Sequence, residues 1–519
     1  MTATTTTGMS PAIADVVRAV PSQLIIGGKH VPASDGSTLV VLDPATGTVL
    51  ATVAGGTVQD ALSAVTAAEE AAAAWAATAP KKRAEILQRT YHLMVDRADD
   101  LALLISAENG KALPDARGEV LYSAEFFRWF AEEAVRIRRE ILTPPGGANK
   151  IIVLRQPVGI AVLVTPWNFP AAMAARKIAP ALAAGCSTIL KPASETPLTA
   201  LALAALMEEA GLPAGVVNVL PSKQSGPVVS AMLSERRVRK LSFTGSTEVG
   251  RTLLNLANQH IMNCSMELGG NAPLLVFDDA DVDAVIEGAL IAKMRNGGEA
   301  CTAANRFFVA EGIAEQFTSR LASAMSAMTM GAGYDQGTTL GPLVNAATRD
   351  KVSALVEDAV NAGAHVATGG STPDGPGFFY PPTVLTNVAP DAAILQTEIL
   401  GPVAPIVTFS TEDEAVRLAN NTEYGLVSYV YNKDLERGLR VSERIEAGMV
   451  GLNRRTGLRP CRPVRRGQGK RPRPRRRRRR SPGIHREQVH RRRLIVSATL
   501  KPTTRRPPVR REPTERERQ

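Results

Sequence analysis

Hydrophobic and polar positions follow two different periods along this chain. Residues 58–104 are rich in Ala, and apolar residues such as Ile86, Leu87 and Met94 recur at helical spacing, which predicts packed amphipathic helices. From Gly159 onward, short apolar runs (IAVLV, STIL, VVNVL, KLSF) alternate with helical segments, and turn residues stand at each junction. Strands joined by single helices lie parallel through right-handed crossovers. The pattern therefore predicts a doubly wound α/β domain.

Ligands of such a sheet bind beside the carboxyl ends of its strands. A second alternating stretch, from APLLVF at Ala272 to about Asn453, predicts another α/β domain. We expect four segments that each follow a strand to share one edge of the first sheet: residues 165–168, 191–195, 221–223 and 244–247.

Charge is distributed unevenly. The whole chain has 61 Lys and Arg against 50 Asp and Glu, a net charge of +11. Residues 454–519 hold 26 of the basic and 4 of the acidic residues, so this tail carries +22 and residues 1–453 carry −11. Only the tail would attract phosphate groups or anionic lipid. A nucleic-acid-associated protein is thus an alternative class of function, although no aromatic residues interleave the basic run KRPRPRRRRRR.

The four cysteines stand at scattered positions: Cys186, Cys264, Cys301 and Cys461. Their spacing indicates neither a metal site nor a disulfide framework, so we expect reduced thiols and no metal. Cys186 and Cys264 lie in apolar or alternating runs and are expected to be buried and inert. The opening residues lack a signal-peptide pattern, and no apolar run reaches the ~18 residues of a membrane span. We expect a cytoplasmic protein with no membrane partner.

Six motifs follow one another in the sequence: TPWNFP at 165–170, KPASETP at 191–197, FTGSTEVG at 243–250, MELGGNAP at 266–273, RNGGEACTAANR at 295–306 and EILGPV at 398–403. In this order and spacing they resemble the aldehyde dehydrogenase superfamily over about residues 24–453, and most of all the bacterial NADP-dependent succinate-semialdehyde dehydrogenases. The resemblance implies an α/β fold with a Rossmann-type cofactor domain and an α/β catalytic domain, assembled as a homodimer or homotetramer.

The resemblance also implies the domain boundaries. We expect a disordered start over residues 1–22 and a cofactor-binding domain over residues 23–270, with bridging strands at about 141–158. The catalytic domain is expected over residues 271–453, and the tail over residues 454–519 is expected to be disordered because dense like charge and proline cannot bury apolar surface.

Cys301 stands in a Gly-flanked loop after a predicted helix. A thiolate can attack an aldehyde carbon, and the oxygen of the resulting thiohemiacetal carries charge. The resemblance implies that Asn168 and the Cys301 N–H hold this oxygen and that Glu267 activates the water that hydrolyses the thioester. Each residue alone would have a structural explanation, but the six motifs together favour catalysis. Coenzyme A-acylating members of the family lack the base, so a free acid is the expected product.

The cofactor is expected at the junction where Gly245 and Gly250 stand, because free N–H groups at a helix start can meet a pyrophosphate. The resemblance implies that Lys191 contacts the adenosine ribose and that Glu398 holds the nicotinamide ribose. Further expected contacts are Thr165, Pro166, Trp167, Ser246 and Leu268.

Ser194 stands where NAD-preferring relatives often carry a glutamate. A carboxylate there would repel the 2′-phosphate of NADP, whereas a serine leaves room and a donor. NADP is therefore the expected cofactor, and NAD stays possible because Glu195 is adjacent.

Two arginines bear on the substrate. Arg176 and Arg295 match positions at which succinate-semialdehyde enzymes clamp the distal carboxylate, and guanidinium groups form paired bonds with carboxylates. Each could instead pair with a structural acid. Glutarate semialdehyde, or a broader set of aldehydes, remains an alternative substrate.

Two residues depart from the family pattern. Glu299 stands where many relatives carry Gln, and a neighbouring carboxylate should raise the pKa of the Cys301 thiol. Position 303 is Ala where some relatives carry a second cysteine, so a reversible disulfide at this place is not expected.

The tail has a genetic rather than a functional explanation. Codons for residues 463–475 (PVRRGQGKRPRPR) can read PFGGVKASGLGRE in the neighbouring frame, which resembles the family's closing motif. Residues 455–462 and 483–491 permit GLVSDPAA and EYTESKYIA in the same frame. We therefore expect a frameshift near Arg454 that leaves the oligomerisation strands incomplete, one sheet edge unpaired and the activity in doubt.

Overall fold

The structure is a computed structural model that describes residues 10–454 and the backbone of residues 493–496. None of the helices in these ranges combines the length and the apolar content that crossing a bilayer demands. The strands are β1 (Leu24–Ile26), β2 (Lys29–Val31), β3 (Thr38–Leu42), β4 (Val49–Ala54), β5 (Glu140–Leu142), β6 (Ile151–Val153), β7 (Ile160–Val164), β8 (Thr188–Lys191), β9 (Val217–Val219), β10 (Val238–Thr244), β11 (Asn263–Glu267), β12 (Ala272–Val276), β13 (Ala304–Ala310), β14 (His365–Thr368), β15 (Thr383–Thr386), β16 (Val403–Phe409), β17 (Val427–Tyr431), β18 (Met449–Leu452) and β19 (Arg493–Val496). The helices are α1 (Pro11–Arg18), α2 (Val58–Ala77), α3 (Pro80–Asp96), α4 (Ala98–Asn109), α5 (Leu113–Ala134), α6 (Pro170–Ala184), α7 (Pro197–Glu209), α8 (Ser225–Ser234), α9 (Thr247–Asn258), α10 (Val282–Met294), α11 (Glu311–Ser326), α12 (Ala346–Asn361), α13 (Ala393–Gln396), α14 (Glu412–Asn420) and α15 (Leu435–Arg444).

The first sheet has the strand order β11-β10-β7-β8-β9-β1-β2. Its five strands from β11 to β9 are parallel to their neighbours, and β1 joins β9 in the antiparallel sense. Strand β7 is buried on both faces: Ala161 and Leu163 share a core with α6, whereas Val162 shares a core with α2. A strand covered on both faces reads as a continuous apolar run. The doubly wound prediction is confirmed.

The second sheet has the order β14-β15-β16-β13-β12-β17-β18-β19, and all its pairs except β14 with β15 are parallel. Backbone pairing of β19 with β18 covers the edge at Met449–Leu452. We expected this edge to be unpaired, and that expectation was wrong because the outward N–H and C=O groups of β18 accept another strand. The remaining residues of the tail lie outside the described residues, and their disorder stays a prediction.

The start of the chain differs from the prediction of disorder over residues 1–22. Helix α1 begins at Pro11, and the Ser10 side chain accepts a hydrogen bond from the Ile13 N–H. Ile13 and Val17, four residues apart on one helical face, are both buried. The segment is ordered because this apolar pair packs into the core beside α4. Residues 1–9 lie outside the described residues.

Two carboxylates from the helical layer cap helices of the first sheet. Helices α6 and α7 each begin with a proline, and neither has a side-chain cap from its own first turn. Glu119 of α5 accepts the N–H groups of Ala171 and Ala172 at 2.9 and 3.0 Å. Glu108 of α4 likewise accepts the N–H groups at the start of α7, from Leu198 and Thr199. A negative charge at a helix N-terminus satisfies free N–H groups and the helix dipole.

The hairpin of β5 and β6 overlaps the predicted bridging strands and presents apolar side chains to the exterior. Ile141 and Ile152 are 71% and 63% exposed. Assembly into a homodimer or homotetramer stays a prediction.

Candidate active site

The carboxyl edge of the first sheet brings the predicted cofactor segments together. The Thr165 N–H, just after β7, donates to the Lys191 carbonyl at the end of β8, with 3.2 Å between N and O. Similarly, the Gly245 N–H donates to the Glu267 carbonyl at 3.0 Å, which links the ends of β10 and β11. Pro166 lies between Thr165 and Trp167, and the Trp167 carbonyl accepts hydrogen bonds from the side chains of Asn109 and Thr196. These loops are thus held beside one another.

The turn between β10 and α9 fits an anionic ligand. Ser246 is exposed and caps α9 by accepting the Val249 N–H at 3.3 Å. A Cβ on Gly250 would overlap Leu268, so glycine at this position lets the helix start pack against the ELGG loop. The Thr244 hydroxyl oxygen is buried and finds no hydrogen-bond partner within the described residues. An exposed helix start beside an unsatisfied hydroxyl suits a pyrophosphate group.

Lys191 and its neighbours form a small charged group at the end of β8. Only 4% of the Lys191 surface is exposed, and burial lowers the pKa of its ammonium to about 8, although Glu195 opposes this shift. The Ser194 hydroxyl donates to the Glu195 carboxylate at 3.1 Å. Ser194 and Glu195 are both half-buried. A carboxylate is therefore present near the predicted ribose position, one residue after the serine.

The predicted nucleophile stands after α10 and a 3-10 turn over Arg295–Gly298. Asn296 has a backbone φ of +55°, which is uncommon for a residue with a side chain. Gly298 lies against the Gly401 carbonyl, where a Cβ would overlap it. Beyond this tight turn Cys301 is half-buried, whereas Thr302 and Ala303 are buried. The thiol stands in a fixed loop and keeps partial exposure.

Three further predicted groups surround this loop. The Asn168 side-chain amide donates to the Glu299 carbonyl with 2.7 Å between Nδ2 and O. Gly270 packs directly against the Cys301 carbonyl, and its N–H donates to the Glu398 carboxylate at 3.0 Å. Glu267 is half-buried at the end of β11, three residues before Gly270. The loops that carry Asn168, Glu267 and Glu398 therefore meet at the loop of Cys301.

The two predicted substrate arginines are held by uncharged groups. Arg176 of α6 donates to the Tyr122 hydroxyl at 2.7 Å and lies over the Phe126 ring. Arg295 donates to the Thr302 hydroxyl at 3.3 Å and lies over the Phe169 ring. Within residues 10–454, neither guanidinium pairs with a carboxylate. The alternative of a structural acid partner thus has no support in the described part of the chain.

Glu299 was expected to be a charged neighbour of the Cys301 thiol, but its carboxyl is buried. It is only 2% exposed, and burial raises the pKa of its carboxyl to about 8, although the Val344 N–H donates to it at 3.1 Å. Desolvation therefore favours the neutral form of this carboxyl. An effect of Glu299 on the pKa of the Cys301 thiol stays a prediction, and it applies to the charged form of the carboxyl.

The predicted burial of the other cysteines was confirmed for only one of the two that the structure describes. Cys186 is buried, as predicted. Cys264 is only half-buried: it packs against the core from β11, the edge strand of its sheet, whereas its neighbours Asn263 and Ser265 face outward. Burial nevertheless raises the pKa of the Cys264 thiol. Cys461 and the predicted frameshift lie outside the described residues.

Four polar residues near these loops were missed by the sequence analysis. Lys111 and Glu119 form a buried ion pair beside Asn168, Asp115 accepts the Asn296 N–H, and Tyr122 holds Arg176. All four belong to residues 111–122, which comprise the turn before α5 and the first half of α5 and contain no recognisable motif.

Comparison with known proteins gives matches over most of the chain. The sequence model of the aldehyde dehydrogenase family matches residues 30–466. A succinate-semialdehyde dehydrogenase of Paenarthrobacter nicotinovorans is 56% identical over 405 residues, which cover 78% of this chain and 90% of that protein. A glutarate-semialdehyde dehydrogenase of Pseudomonas putida is 46% identical over 436 residues, with 84% and 90% coverage. The crystal structure of an NADP-dependent enzyme of Escherichia coli superposes with a TM-score of 0.82 at 44% identity, covering 84% of this chain and 91% of that one. None of these matches supports the nucleic-acid-associated alternative.

Proposed function

Because this chain belongs to the aldehyde dehydrogenase family, whose members are oxidoreductases acting on aldehydes, we propose that it oxidises succinate semialdehyde to succinate with NADP. Aldehyde, water and oxidised cofactor give the carboxylic acid, reduced cofactor and a proton. The observation that carries this proposal is the pair of arginines, Arg176 and Arg295, which have no carboxylate partner within residues 10–454.

Carbon–sulfur bond formation is assigned to Cys301. Its thiolate attacks the aldehyde carbon, and the carbonyl oxygen becomes the oxyanion of a thiohemiacetal. The Asn168 amide has two N–H bonds, of which one donates to the Glu299 carbonyl and the other remains for the oxyanion. A second donor would be the Cys301 N–H. Fixed donors of this kind stabilise the charge that develops in the transition state.

The chemistry that a nicotinamide dinucleotide supplies when bound is acceptance of a hydride. Lys191 would hold its adenosine ribose, the start of α9 with Ser246 its pyrophosphate, and Glu398 its nicotinamide ribose. Loss of the hydride turns the Cys301 thiohemiacetal into a thioester. Glu267 then takes a proton from water, the water oxygen attacks the acyl carbon, and the C–S bond breaks to release the acid and the thiolate.

Substrate choice is assigned to the two guanidinium groups. The Tyr122 hydroxyl and the Thr302 hydroxyl each occupy one donor, and aromatic rings hold the guanidinium groups in place. The other N–H bonds stay available for the distal carboxylate of the substrate. Two relatives named above act on four- and five-carbon semialdehydes, so glutarate semialdehyde is the alternative substrate.

The test compares a charged with an uncharged aldehyde. Arg295→Ala should raise KM for succinate semialdehyde far more than KM for hexanal, because only the former has a carboxylate to lose. Arg176→Ala should behave alike, and Arg97→Ala, whose side chain pairs with Glu209 at the surface, is the matched control. Equal losses for both aldehydes would remove the assignment. A higher kcat/KM for glutarate semialdehyde than for succinate semialdehyde would favour the alternative.

NADP is proposed as the preferred cofactor on the strength of Ser194, and the NADP-dependent Escherichia coli enzyme supports it. The adjacent Glu195 carboxylate works against this preference, so NAD is expected to be used at lower efficiency.

A further inference from the structure

Lys111 is a buried cation whose contacts converge on the peptide that follows Asn168. Lys111 and Glu119 are 3% and 4% exposed. The Lys111 ammonium lies 2.5 Å from a Glu119 carboxylate oxygen, 2.7 Å from the Asn168 carbonyl oxygen and 4.4 Å from the centre of the Phe169 ring. The Lys111–Glu119 ion pair therefore contacts the backbone of Asn168, the proposed oxyanion donor.

The backbone of Lys111 cannot easily move. Gly110 has a φ of +95°, and the Lys111 carbonyl accepts the Ser106 hydroxyl at 2.7 Å. Gly333 and Gly341 lie so close to this turn that a Cβ on either would overlap its carbonyl oxygens. The ammonium thus extends from a clamped turn, and Glu119 is itself fixed by the N–H groups at the start of α6.

The nucleophile loop is tied to the same carbonyl from the other side. The Asn296 side-chain amide donates to the Asn168 carbonyl at 2.9 Å, and the Asn296 N–H donates to the Asp115 carboxylate at 2.6 Å. Asn168 in turn donates to the Glu299 carbonyl. Hydrogen bonds from the Lys111 turn and from the Cys301 loop thus meet on Asn168.

We propose that Lys111 is a positioning residue for the reaction, which fixes the direction of the Asn168 amide by holding its carbonyl oxygen. This inference rests on the proposed role of Asn168 as the oxyanion donor. Two hydrogen bonds on one carbonyl fix the orientation of the peptide plane, and the side chain starts from that plane. A misplacement of about 1 Å at a reacting group can cost about 10²-fold in rate.

Removing Lys111 alone would leave the Glu119 carboxylate buried without its cation and could prevent folding. The test variant is therefore Lys111→Met combined with Glu119→Gln, because the Gln carbonyl can still accept the N–H groups of Ala171 and Ala172. Glu108→Gln is the matched control, since Glu108 caps α7 in the same way and contacts neither Lys111 nor Asn168.

The measurement is a double-mutant cycle with Asn168→Ala on the full chain. At saturating NADP, the Lys111→Met/Glu119→Gln variant should lower the single-turnover rate of NADPH formation and kcat by at least about tenfold, for succinate semialdehyde and hexanal alike. KM for both aldehydes and the Kd for NADP should change little, and Glu108→Gln should keep the wild-type rate. In the Asn168→Ala background the same pair of substitutions should cause no further loss.

Three results would overturn the inference. If the rate losses of Lys111→Met/Glu119→Gln and of Asn168→Ala multiply in the combined variant, Lys111 acts independently of Asn168. An unchanged rate in a variant that folds, as judged by its Tm, would mean that Lys111 does not position the amide. A normal rate in Asn168→Ala alone would remove the oxyanion role from the proposed function, and the inference with it.

Discussion

Gly270 packs against Cys301 so closely that a Cβ on Gly270 would overlap the carbonyl oxygen of Cys301. The carbonyl of Cys301 and the Cα of Gly270 both belong to the backbone, so a change of side-chain rotamer cannot relieve the overlap. Gly270→Ala is therefore expected to displace the nucleophile loop and to lower kcat by about 10²-fold. Steady-state kinetics would measure this loss. Gly226→Ala is the control, because a Cβ on Gly226 of α8 meets nothing within 4 Å. A normal kcat in Gly270→Ala would show that the position of this loop is not critical.

The reactivity of Cys301 should depend on Glu299 only in alkaline solution. Burial raises the pKa of the Glu299 carboxyl to about 8, so it is neutral below that pH and charged above it. Glu299→Gln and the wild type should react with iodoacetamide at equal rates below about pH 7, and the variant should react faster above about pH 8. The pseudo-first-order alkylation rate between pH 6 and 10 measures this. A difference already present at pH 6 would contradict a neutral Glu299.

Stability should respond to the same carboxyl with a definite sign. The folded chain keeps the Glu299 proton up to about pH 8, whereas the unfolded chain releases it near the ordinary value of 4.5. The wild type should therefore lose stability as the pH rises from 4.5 to 8, on the order of a few kcal/mol. Glu299→Gln should match the wild type near pH 4.5 and exceed it at pH 8, as measured by denaturant unfolding. Glu108→Gln should behave alike, with its window ending near pH 7 because burial raises the pKa of Glu108 to about 7.

Cofactor preference should follow the charge around Ser194. Ser194→Glu places a second carboxylate beside Glu195 and should lower kcat/KM for NADP relative to NAD by at least about tenfold, because close like charges repel. The opposite change, Glu195→Gln, should raise the NADP to NAD ratio. Steady-state kinetics with both cofactors measures the two ratios. If neither substitution changes the ratio, the adenosine ribose lies elsewhere.

The proposed frameshift can be tested in the coding DNA. Sequencing around the codon of Arg454 should reveal an inserted or deleted base, after which the neighbouring reading frame encodes PFGGVKASGLGRE across residues 463–475. An intact frame in independent reads would contradict this explanation. The basic tail would then be a genuine part of the protein, and phosphate binding by it would merit measurement in its own right.

Local patterns in the sequence were enough to predict the strands and helices that carry the site. Strand β7 and helix α6 were predictable because IAVLV is continuously apolar and the following segment has helical spacing. The position of Asn168 just after a strand followed from that topology, whereas Glu267 was identified only through the resemblance of its motif.

Features that depend on burial could not be predicted in this way. Lys111 stands in the turn before α5 and Glu119 in α5 itself, and charged side chains at such positions normally face solvent. Only the packing of distant loops makes them a buried pair. The raised pKa of the Glu299 carboxyl was missed for the same reason, since residue type alone does not reveal desolvation.

Glu108 and Glu119 satisfy the starts of α7 and α6 from outside the strand–helix repeat. A fragment cut to begin at β7 would leave both helix starts with bare N–H groups and without the carboxyl oxygens that accept them. The smallest segment able to fold as a dinucleotide module must therefore reach back at least to residue 108. Any chimaera that transplants this module needs the end of α4 and the whole of α5 as part of the graft.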